Sequence, residues 1–402
     1  MKALWIGSGV GPMTKQQILQ AGGKLLSAYV SQTNLVEGMD ALGVDMDTLN
    51  AMYVVESVLN RLPYEKWSRN GKSSDISIGY RNTKYINRLY KRIVLSGEAE
   101  RWANSHQDCS ELVVFVYGMH TPFLAAAARV KHILPQSRIC LIVPDLPQYM
   151  DLKMSPLKKA LKAVDWQCIR KCMKIVDNYV LYAAPMADFL KLKPRTWLIM
   201  EGSYDSTQKA EEVQPEENGK IAVMYSGALH LRHGIPELLD AMKLLDDNYE
   251  LWLTGDGNAV ELIRQREKED PRIRFFGYLP TRQDLLNKQA QATMLISPRR
   301  DTEEASRYCF PSKLFEYMAS GRPVISCYLD GIPEEYRAYL HELSGVSPEE
   351  IAKTIRQVAG IPECDRKAEG EKAREFVLNT KNKYAQAKKI AEFMGVVEQI
   401  KK

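Results

Sequence analysis

The segment Phe310-Pro-Ser-Lys-Leu-Phe-Glu-Tyr-Met-Ala-Ser-Gly-Arg-Pro-Val-Ile325 predicts a turn, a short helix and a buried strand in succession. Pro311 suits the first turn of a helix, and the residues after it propagate that helix. Gly321 fits the C-terminal cap, and Pro323 ends the helix before the strand. The helix carries Glu316, and its first N–H groups are expected to face any anion placed there. Such a segment is typical of an α/β protein that presents a ligand site, the alternative being an ordinary helix-to-strand connection.

Strand candidates alternate with helical stretches on both sides of a polar run at 206–220. This alternation is the pattern of parallel sheets covered by helices. The strand candidates are residues 3–6, 112–117, 139–143, 179–182 and 195–200, then 222–225, 251–254, 273–276, 294–297 and 324–327. We therefore predict an α/β chain with Rossmann-like domains at 1–200 and 219–380, a linker at 201–218 and a helical segment over 381–402.

Size and composition indicate a globular protein of two domains. The chain has 402 residues, of which 45% are hydrophobic and 26% are charged, and no apolar run reaches the roughly 18 residues that span a bilayer. We expect a cytoplasmic protein without a transmembrane helix. The seven cysteines show no spacing typical of a metal site, so we predict reduced thiols and no metal.

Charge is distributed unevenly along the chain. Residues 1–200 hold 26 Lys and Arg against 16 Asp and Glu, whereas the remainder holds 29 against 34. The excess is concentrated at 81–92 and 153–174, where apolar residues recur at helical spacing. Such faces fit an anionic bilayer at the inner side of a membrane, and the alternative is a solvated helix surface. Nucleic-acid binding is disfavoured because no recognisable module accompanies the charge.

A glycine-rich turn, Gly7-Ser-Gly-Val-Gly11, follows the first strand candidate. A turn of this kind either lets a ligand approach the backbone or only connects a strand to a helix. It lacks the third glycine of the dinucleotide fingerprint, since Pro12 follows, and Glu37 is a poor match for the ribose-binding acid. These two departures argue against a nicotinamide cofactor.

Three further motifs occur in order in the second half of the chain. They are Tyr225-Ser-Gly-Ala-Leu-His-Leu-Arg-His-Gly-Ile235, then Leu253-Thr-Gly-Asp-Gly257 and Phe276-Gly-Tyr-Leu279. Together with the segment 310–325, they resemble the donor-sugar region of retaining GT-B glycosyltransferases of family 4. The matched motifs span about 220–340, and the order of strands and helices extends the resemblance loosely over the whole chain.

The resemblance implies a fold, a donor and a set of site residues. It implies two Rossmann-like domains facing an interdomain cleft, with a final helix that packs back on the first. It also implies sugar transfer with retention from a nucleotide-diphosphate donor, a UDP-sugar rather than a GDP-sugar, with no metal or other cofactor. Glu316 would bind the ribose, while Arg232, Lys313 and helix N–H groups would stabilise the leaving diphosphate. The remaining donor-binding candidates are Gly9, Gly11, Gly227, His233, Gly255, Tyr278, Leu279, Tyr308, Phe310, Pro311 and Ser312.

Three positions depart from the pattern of the family. Many relatives have an arginine and a lysine where this chain has Ala228 and His233, which puts the placement of the cations in question. Tyr308 occupies the position of a second glutamate, and Glu303 and Glu304 lie nearby in the sequence.

On the acceptor side, His120 and Asp145 follow two strand candidates of the first domain, where open α/β sheets bind ligands. Relatives often place a His-Asp pair at the second of these turns, and Pro144 replaces the histidine here. Asp145 would orient or deprotonate the acceptor hydroxyl. The alternatives are a turn residue for Asp145 and a structural hydrogen bond for His120.

We therefore predict a glycosyltransferase whose acceptor is a glycan or a lipid-linked hydroxyl, in bacterial envelope, capsule or exopolysaccharide assembly. Two other classes fit the same sequence. A non-catalytic GT-B partner subunit would account for the missing acid at Tyr308, and a nucleotide-sugar epimerase would share the donor site.

Overall fold

The computed structural model describes residues 1–23, 27–53, 58–83, 87–149, 155–207, 219–299 and 304–397. The chain divides into two compact units, Met1–Ser203 with Lys383–Lys402, and Tyr204–Asn382. Most of the predicted linker, residues 208–218, lies outside the described residues. In the ranges given, no helix has the length and apolar character needed to cross a membrane.

The first unit is built on a sheet of eight strands flanked by helices. Including a separate pair outside this sheet, the strands of the unit are β1 (Lys2–Gly7), β2 (Met46–Asn50), β3 (Arg61–Leu62), β4 (Glu65–Trp67), β5 (Asp75–Ser77), β6 (Tyr80–Arg81), β7 (Leu112–Tyr117), β8 (Arg138–Val143), β9 (Asn178–Leu181) and β10 (Trp197–Ile199). Its first six helices are α1 (Pro12–Gln20), α2 (Ser27–Ala41), α3 (Asn87–Asn104), α4 (Thr121–Ile133), α5 (Pro156–Cys172) and α6 (Pro185–Phe189).

The sheet of the first unit has the strand order β10-β9-β8-β7-β1-β2-β5-β4, and β3 pairs separately with β6. Within the sheet only the edge pair β4 and β5 is antiparallel. The order reverses between β1 and β7, where Trp5 lies beside Phe115 in register. In open α/β sheets this reversal, the switch point, opens a crevice at the carboxyl ends of the strands.

The five strands predicted for this unit are confirmed, whereas β2 to β6 were missed, of which β2 is the longest. Its sequence reads as polar, yet Thr48 and Asn50 are buried. Their side chains are satisfied internally, because Thr48 donates to Asp75 at 2.8 Å and Asn50 donates to Thr48 at 2.8 Å. A buried strand held by polar pairs has no apolar periodicity to reveal it.

The second unit contains a six-stranded parallel sheet. Its strands are β11 (Ile221–Ala228), β12 (Tyr249–Asp256), β13 (Ile273–Phe275), β14 (Met294–Ser297), β15 (Val324–Ser326) and β16 (His341–Glu342). Its helices are α7 (Ile235–Ala241), α8 (Val260–Glu269), α9 (Arg282–Gln291), α10 (Lys313–Ala319), α11 (Pro348–Ala359) and α12 (Glu363–Thr380). The order is β13-β12-β11-β14-β15-β16, so the switch point lies between β11 and β14.

The last helix, α13 (Lys383–Phe393), belongs to the first unit. Its residues Ala387 and Ile390 are fully buried in the same core cluster as Trp5 and Met39. Lys383 pairs with Glu37 of α2 at 2.8 Å. The predicted helical segment continues to residue 402, but 398–402 lie outside the described residues.

Candidate functional site

Two strands approach each other closely at the switch point of the second unit. The pairing of β11 with β12 extends to Gly227 opposite Gly255, beyond the buried part of both strands. A Cβ on Gly255 would overlap the carbonyl oxygen of Gly227, and its φ of 133° disfavours any other residue. The predicted glycines therefore bring two backbones together and leave Gly227 exposed at the strand end.

Helix α10 is fastened to the end of β11 by two side chains. Tyr317 is fully buried, accepts a hydrogen bond from the Ser226 amide at 2.8 Å and donates to the Ser226 carbonyl at 2.9 Å. One turn earlier, Lys313 donates to the Tyr225 hydroxyl at 2.7 Å, and its ammonium lies 3.9 Å from the centre of the Tyr225 ring. These contacts fix the position of Glu316, which lies between them on the helix.

Lys313 is a desolvated cation beside the glycine turn. A Cβ on Gly227 would lie 3.5 Å from its Nζ. Enclosure by the protein and the nearby charge of Arg299 together lower the pKa of Lys313 to about 7, against the opposite effect of Glu316. An anion bound at Gly227 would favour the charged form of this lysine.

A cavity of about 420 Å³ opens beside the same turn. Its walls are formed by the ends of β11 and β12 and by the segment that leads into α9. The lining residues are Gly227, Ala228, Thr254, Gly255, Asp256, Tyr278, Leu279, Pro280, Thr281, Arg282 and Leu285. The side chain of Tyr278 is 66% exposed, which places its ring at the rim rather than in the core. A planar base has a stacking surface there.

Glu316 is connected to this cavity through an ion pair. Arg282, which lines the cavity, donates to its carboxylate at 2.8 Å. Arg282 is the first residue of α9, whose start is fixed by a capping box between Thr281 and Asp284. The pair holds the Glu316 carboxylate at the edge of the cavity.

The imidazole of His233 is neutral at pH 7 in this site. Burial, together with the charges of Lys313 and Arg299, lowers the pKa of His233 to about 4. Its Nδ1 lies 3.0 Å from the Ala228 carbonyl, to which it donates. Arg232, in the same short 3-10 helix, is solvent-exposed. Of these two predicted residues, only Arg232 offers a positive charge.

At the start of α10, two of the amides that the sequence predicted to be free are bonded within the chain. The amides of Leu314 and Phe315 donate to the carbonyls of Pro311 and Ser312 in a tight turn. Phe310 is buried against Phe315, with ring centroids 4.9 Å apart. This part of the motif therefore supports the helix, and the amides of Leu314 and Phe315 are not available to an anion. Tyr308 is half-buried at the end of a 3-10 helix, and Glu303 lies outside the described residues.

The glycine turn of the first unit is occupied by side chains of its own unit. The Gly9 amide donates to Asn50 at 2.9 Å, and the amides of Met13 and Thr14 donate to Glu65 at 2.9 and 3.0 Å. Glu65 thereby takes the place an anion would have at the start of α1. The geometry supports the simple structural turn, and donor binding by Gly9 and Gly11 stays a prediction that it does not favour.

His120 and Asp145 follow β7 and β8 of the first unit, and both keep solvent access. Dense packing around them nevertheless shifts both groups towards their neutral forms. Burial lowers the pKa of His120 to about 4, and it raises the pKa of Asp145. Neutral imidazole and a carboxylate of raised pKa are suited to accepting a proton from a hydroxyl group.

One residue of the basic clusters is not on a surface. Lys91 is buried, donates to the Met52 carbonyl at 3.0 Å and lies 4.1 Å from the centre of the Tyr80 ring. Burial lowers the pKa of Lys91 to about 8. Its assignment to a basic face was therefore wrong. Residues 84–86 and 151–154, and the side chains of 156–158, lie outside the described part of both clusters.

Comparison with known proteins agrees with this geometry. Residues 220–360 match the family model of glycosyl transferases group 1. Anabaena Alr3699/HepE in complex with UDP has a TM-score of 0.61 at 10% identity, over 99% of this chain and 100% of that one. A glycosyltransferase from Rickettsia africae ESF-5 has a TM-score of 0.63 at 11% identity, over 99% of both chains. The chain has the GT-B fold, and its second unit contains the region that matches the model of group 1 glycosyl transferases.

The lipopolysaccharide outer core galactosyltransferase WaaB shares this GT-B fold, with a TM-score of 0.62 at 12% identity over 98% of this chain and 99% of that one. Identities this low establish the fold alone. No curated protein matches the chain.

Sequence reasoning missed two arginines of the second unit, Arg282 and Arg299. Each follows a predicted feature, the Gly277 turn and the strand β14. For Arg299 a signal was present, because a cation just after the carboxyl end of a parallel strand lies on the ligand side of the sheet. Arg282 begins a helix seven residues after β13 and had no such signal.

Proposed function

We propose that this protein transfers a sugar, with retention of configuration, from a nucleotide-diphosphate donor to a hydroxyl acceptor. The observation that carries the proposal is the fastening of α10 to β11, which places Lys313 beside Gly227 and Glu316 beside Arg282. A cation, a carboxylate and a base-sized cavity thus meet at the switch point. UDP is the favoured nucleotide, and the HepE structure contains UDP.

We assign the base, the ribose and the diphosphate of the donor to different residues of this site. The base would stack at Tyr278 and bond to the backbone near Leu279, while Glu316 would accept hydrogen bonds from the ribose hydroxyls. Breaking the bond between the sugar and the diphosphate leaves negative charge on the phosphate oxygens. Lys313 and Arg232 would stabilise this charge, and fixed cations do so without reorganisation.

Side chains of the first unit would take up the proton of the acceptor hydroxyl. Asp145 and His120 each follow a strand end, and either group takes up the hydroxyl proton as the new bond to the sugar forms. The raised pKa of Asp145 makes its carboxylate a stronger base than an ordinary aspartate. The roles of both residues rest on this chemistry and on their position in the first unit.

The test is thermal stabilisation by UDP, GDP, ADP and CMP and by their sugars, followed by product analysis with glycan and lipid-linked acceptors. Saturating ligand stabilises a folded protein by several kcal/mol when its concentration is roughly 1,000-fold above Kd. We expect UDP and a UDP-sugar to raise Tm and the UDP-sugar to react only with acceptor present. Isomerisation of the donor alone would indicate an epimerase, and no shift with any nucleotide would indicate a non-catalytic subunit.

We further propose that α3 and α5 place the first unit on an anionic membrane, near a lipid-linked acceptor of envelope or capsule assembly. Ile93 and Val164 are each 63% exposed, and Arg88 of α3 pairs with Asp165 of α5 at 2.9 Å. The two helices therefore present apolar side chains next to cations, the combination that binds anionic lipid.

Co-sedimentation with vesicles measures this membrane binding. We expect binding to vesicles that contain phosphatidylglycerol and little binding to pure phosphatidylcholine, because each cation near an anionic surface contributes about 1 kcal/mol. Ile93→Ser combined with Val164→Ser should weaken the binding, whereas Leu244→Ser, at an exposed leucine of the second unit, should not. Equal binding by all three proteins would contradict the assignment of this face.

A further inference from the structure

The glycine turn of the second unit carries no cation of its own at the two positions where relatives have one. Ala228 is exposed at the end of β11 and has no charge. His233 is neutral at pH 7, since its pKa is lowered to about 4. Lys313 and the solvent-exposed Arg232 are the cations already assigned to a diphosphate at Gly227. A less exposed cation would add to them, because water screens its charge less.

Arg299 lies directly across the switch point from this turn. It is the second residue after β14, the strand next to β11. The chain before it touches the end of the turn, because a Cβ on Gly234 would overlap the carbonyl oxygen of Pro298. The positive charge of Arg299 lowers the pKa of both His233 and Lys313, which places it within electrostatic reach of both.

The guanidinium of Arg299 has no carboxylate partner among the residues that the structure describes. Its hydrogen-bond contact is a weak one to the sulfur of Cys309, at 3.8 Å. The side chain is half-buried, so water screens its positive charge only in part. Holding Arg299 and Lys313 near each other costs Coulomb energy, and an anion bound between them would recover it.

We propose that Arg299 binds the diphosphate of the nucleotide donor together with Lys313, and thereby replaces the cation that Ala228 lacks. This inference rests on the proposed function, because it needs a nucleotide diphosphate at the switch point. A guanidinium suits the task, since its fork of N–H donors bonds two phosphate oxygens at once. Arg299 is then a determinant of phosphate binding supplied by a different strand end from the glycine turn.

The test compares UDP, UMP and uridine by isothermal titration calorimetry on the full chain. Arg299→Ala should weaken UDP binding about 10-fold, because a hydrogen bond between charged groups is lost. Uridine affinity should change less than about 2-fold, with UMP between the two. Arg299→Gln should resemble Arg299→Ala, and Arg299→Lys should restore part of the UDP affinity. Arg129→Ala, at an exposed arginine paired with Glu100 in the first unit, is the matched control and should bind UDP like the wild type.

Three results would overturn the proposal, and they are distinguishable. Unchanged UDP affinity in Arg299→Ala and Arg299→Gln, in folded proteins of wild-type Tm, would remove Arg299 from the phosphate site. An equal loss for UDP and uridine would show a structural role. A wild-type protein that binds none of UDP, GDP and ADP would refute the proposed function and, with it, this inference.

Discussion

Replacing Glu316 with alanine is expected to weaken UDP binding about 100-fold, since hydrogen bonds to a charged group contribute roughly 1.5–3 kcal/mol each. The carboxylate is held at the cavity edge by Arg282, in a position to accept from ribose hydroxyls. The loss should be accompanied by a loss of ribose recognition. We expect the wild type to bind UDP more tightly than 2′-deoxy-UDP, and Glu316→Ala to bind both equally.

This comparison separates ribose binding from a general effect of charge. Removing an acid near Lys313 makes the site more positive, which by itself would strengthen the binding of an anion. A weaker UDP complex therefore reports the lost hydrogen bonds. Glu371→Ala is the matched control, because Glu371 is another exposed acid of the second unit and lies 3.5 Å from Arg374. If Glu316→Ala still discriminates against 2′-deoxy-UDP, the ribose assignment is wrong.

The second large effect is expected for Lys313→Met, which should weaken UDP binding between 10- and 100-fold, as expected for a lost charge-assisted hydrogen bond. Wild-type UDP binding should also take up a proton above pH 7. In the protein without ligand the pKa of Lys313 is about 7, and a bound diphosphate raises it. Above pH 7, Lys313 is therefore protonated in the complex where it has lost its proton in the free protein. Calorimetry at pH 8 in buffers of different ionisation enthalpy measures this uptake, and Lys313→Met should lack it.

The same shift predicts how stability depends on pH. Between pH 7 and the ordinary lysine pKa of 10.5, the unfolded chain keeps a proton that folded Lys313 has released. The free energy of unfolding therefore rises with pH across this window, and below pH 7 the contribution is constant. Lys313→Met should lose this rise. Lys91→Met is the control, because Lys91 also has a lowered pKa but lies in the first unit, so its removal should leave proton uptake on UDP binding intact. Uptake that survives in Lys313→Met would contradict the assignment.

The sequence predicted the elements whose patterns are local. Helix α10 spans Lys313–Ala319, the residues predicted to propagate a helix after Pro311, because a proline before it and a glycine after it leave little freedom. All five strands predicted for the second unit are present. The polar strand β2 was missed because its partners, such as Asp75, come from distant parts of the sequence.

The candidate site was predictable in part for the same reason. Motifs revealed Gly227, Gly255 and Glu316, since each is tied to a turn or helix with its own signature. The contributions of Arg282 and Arg299 depend on which strand ends become neighbours, and this is a property of sheet order. Glu65 shows the converse, because a motif typical of anion binding is satisfied by a carboxylate more than fifty residues away.

Because α13 belongs to the first unit, the core of that unit can be completed only late in synthesis. The core around Trp5 and Met39 includes Ala387 and Ile390, so it stays incomplete until the entire second unit has emerged from the ribosome. The second unit, being continuous in sequence, has all of its parts earlier. Until α13 is synthesised, the apolar face of α2 in the nascent first unit stays uncovered. At this stage of synthesis the chain is most exposed to aggregation and to chaperone binding.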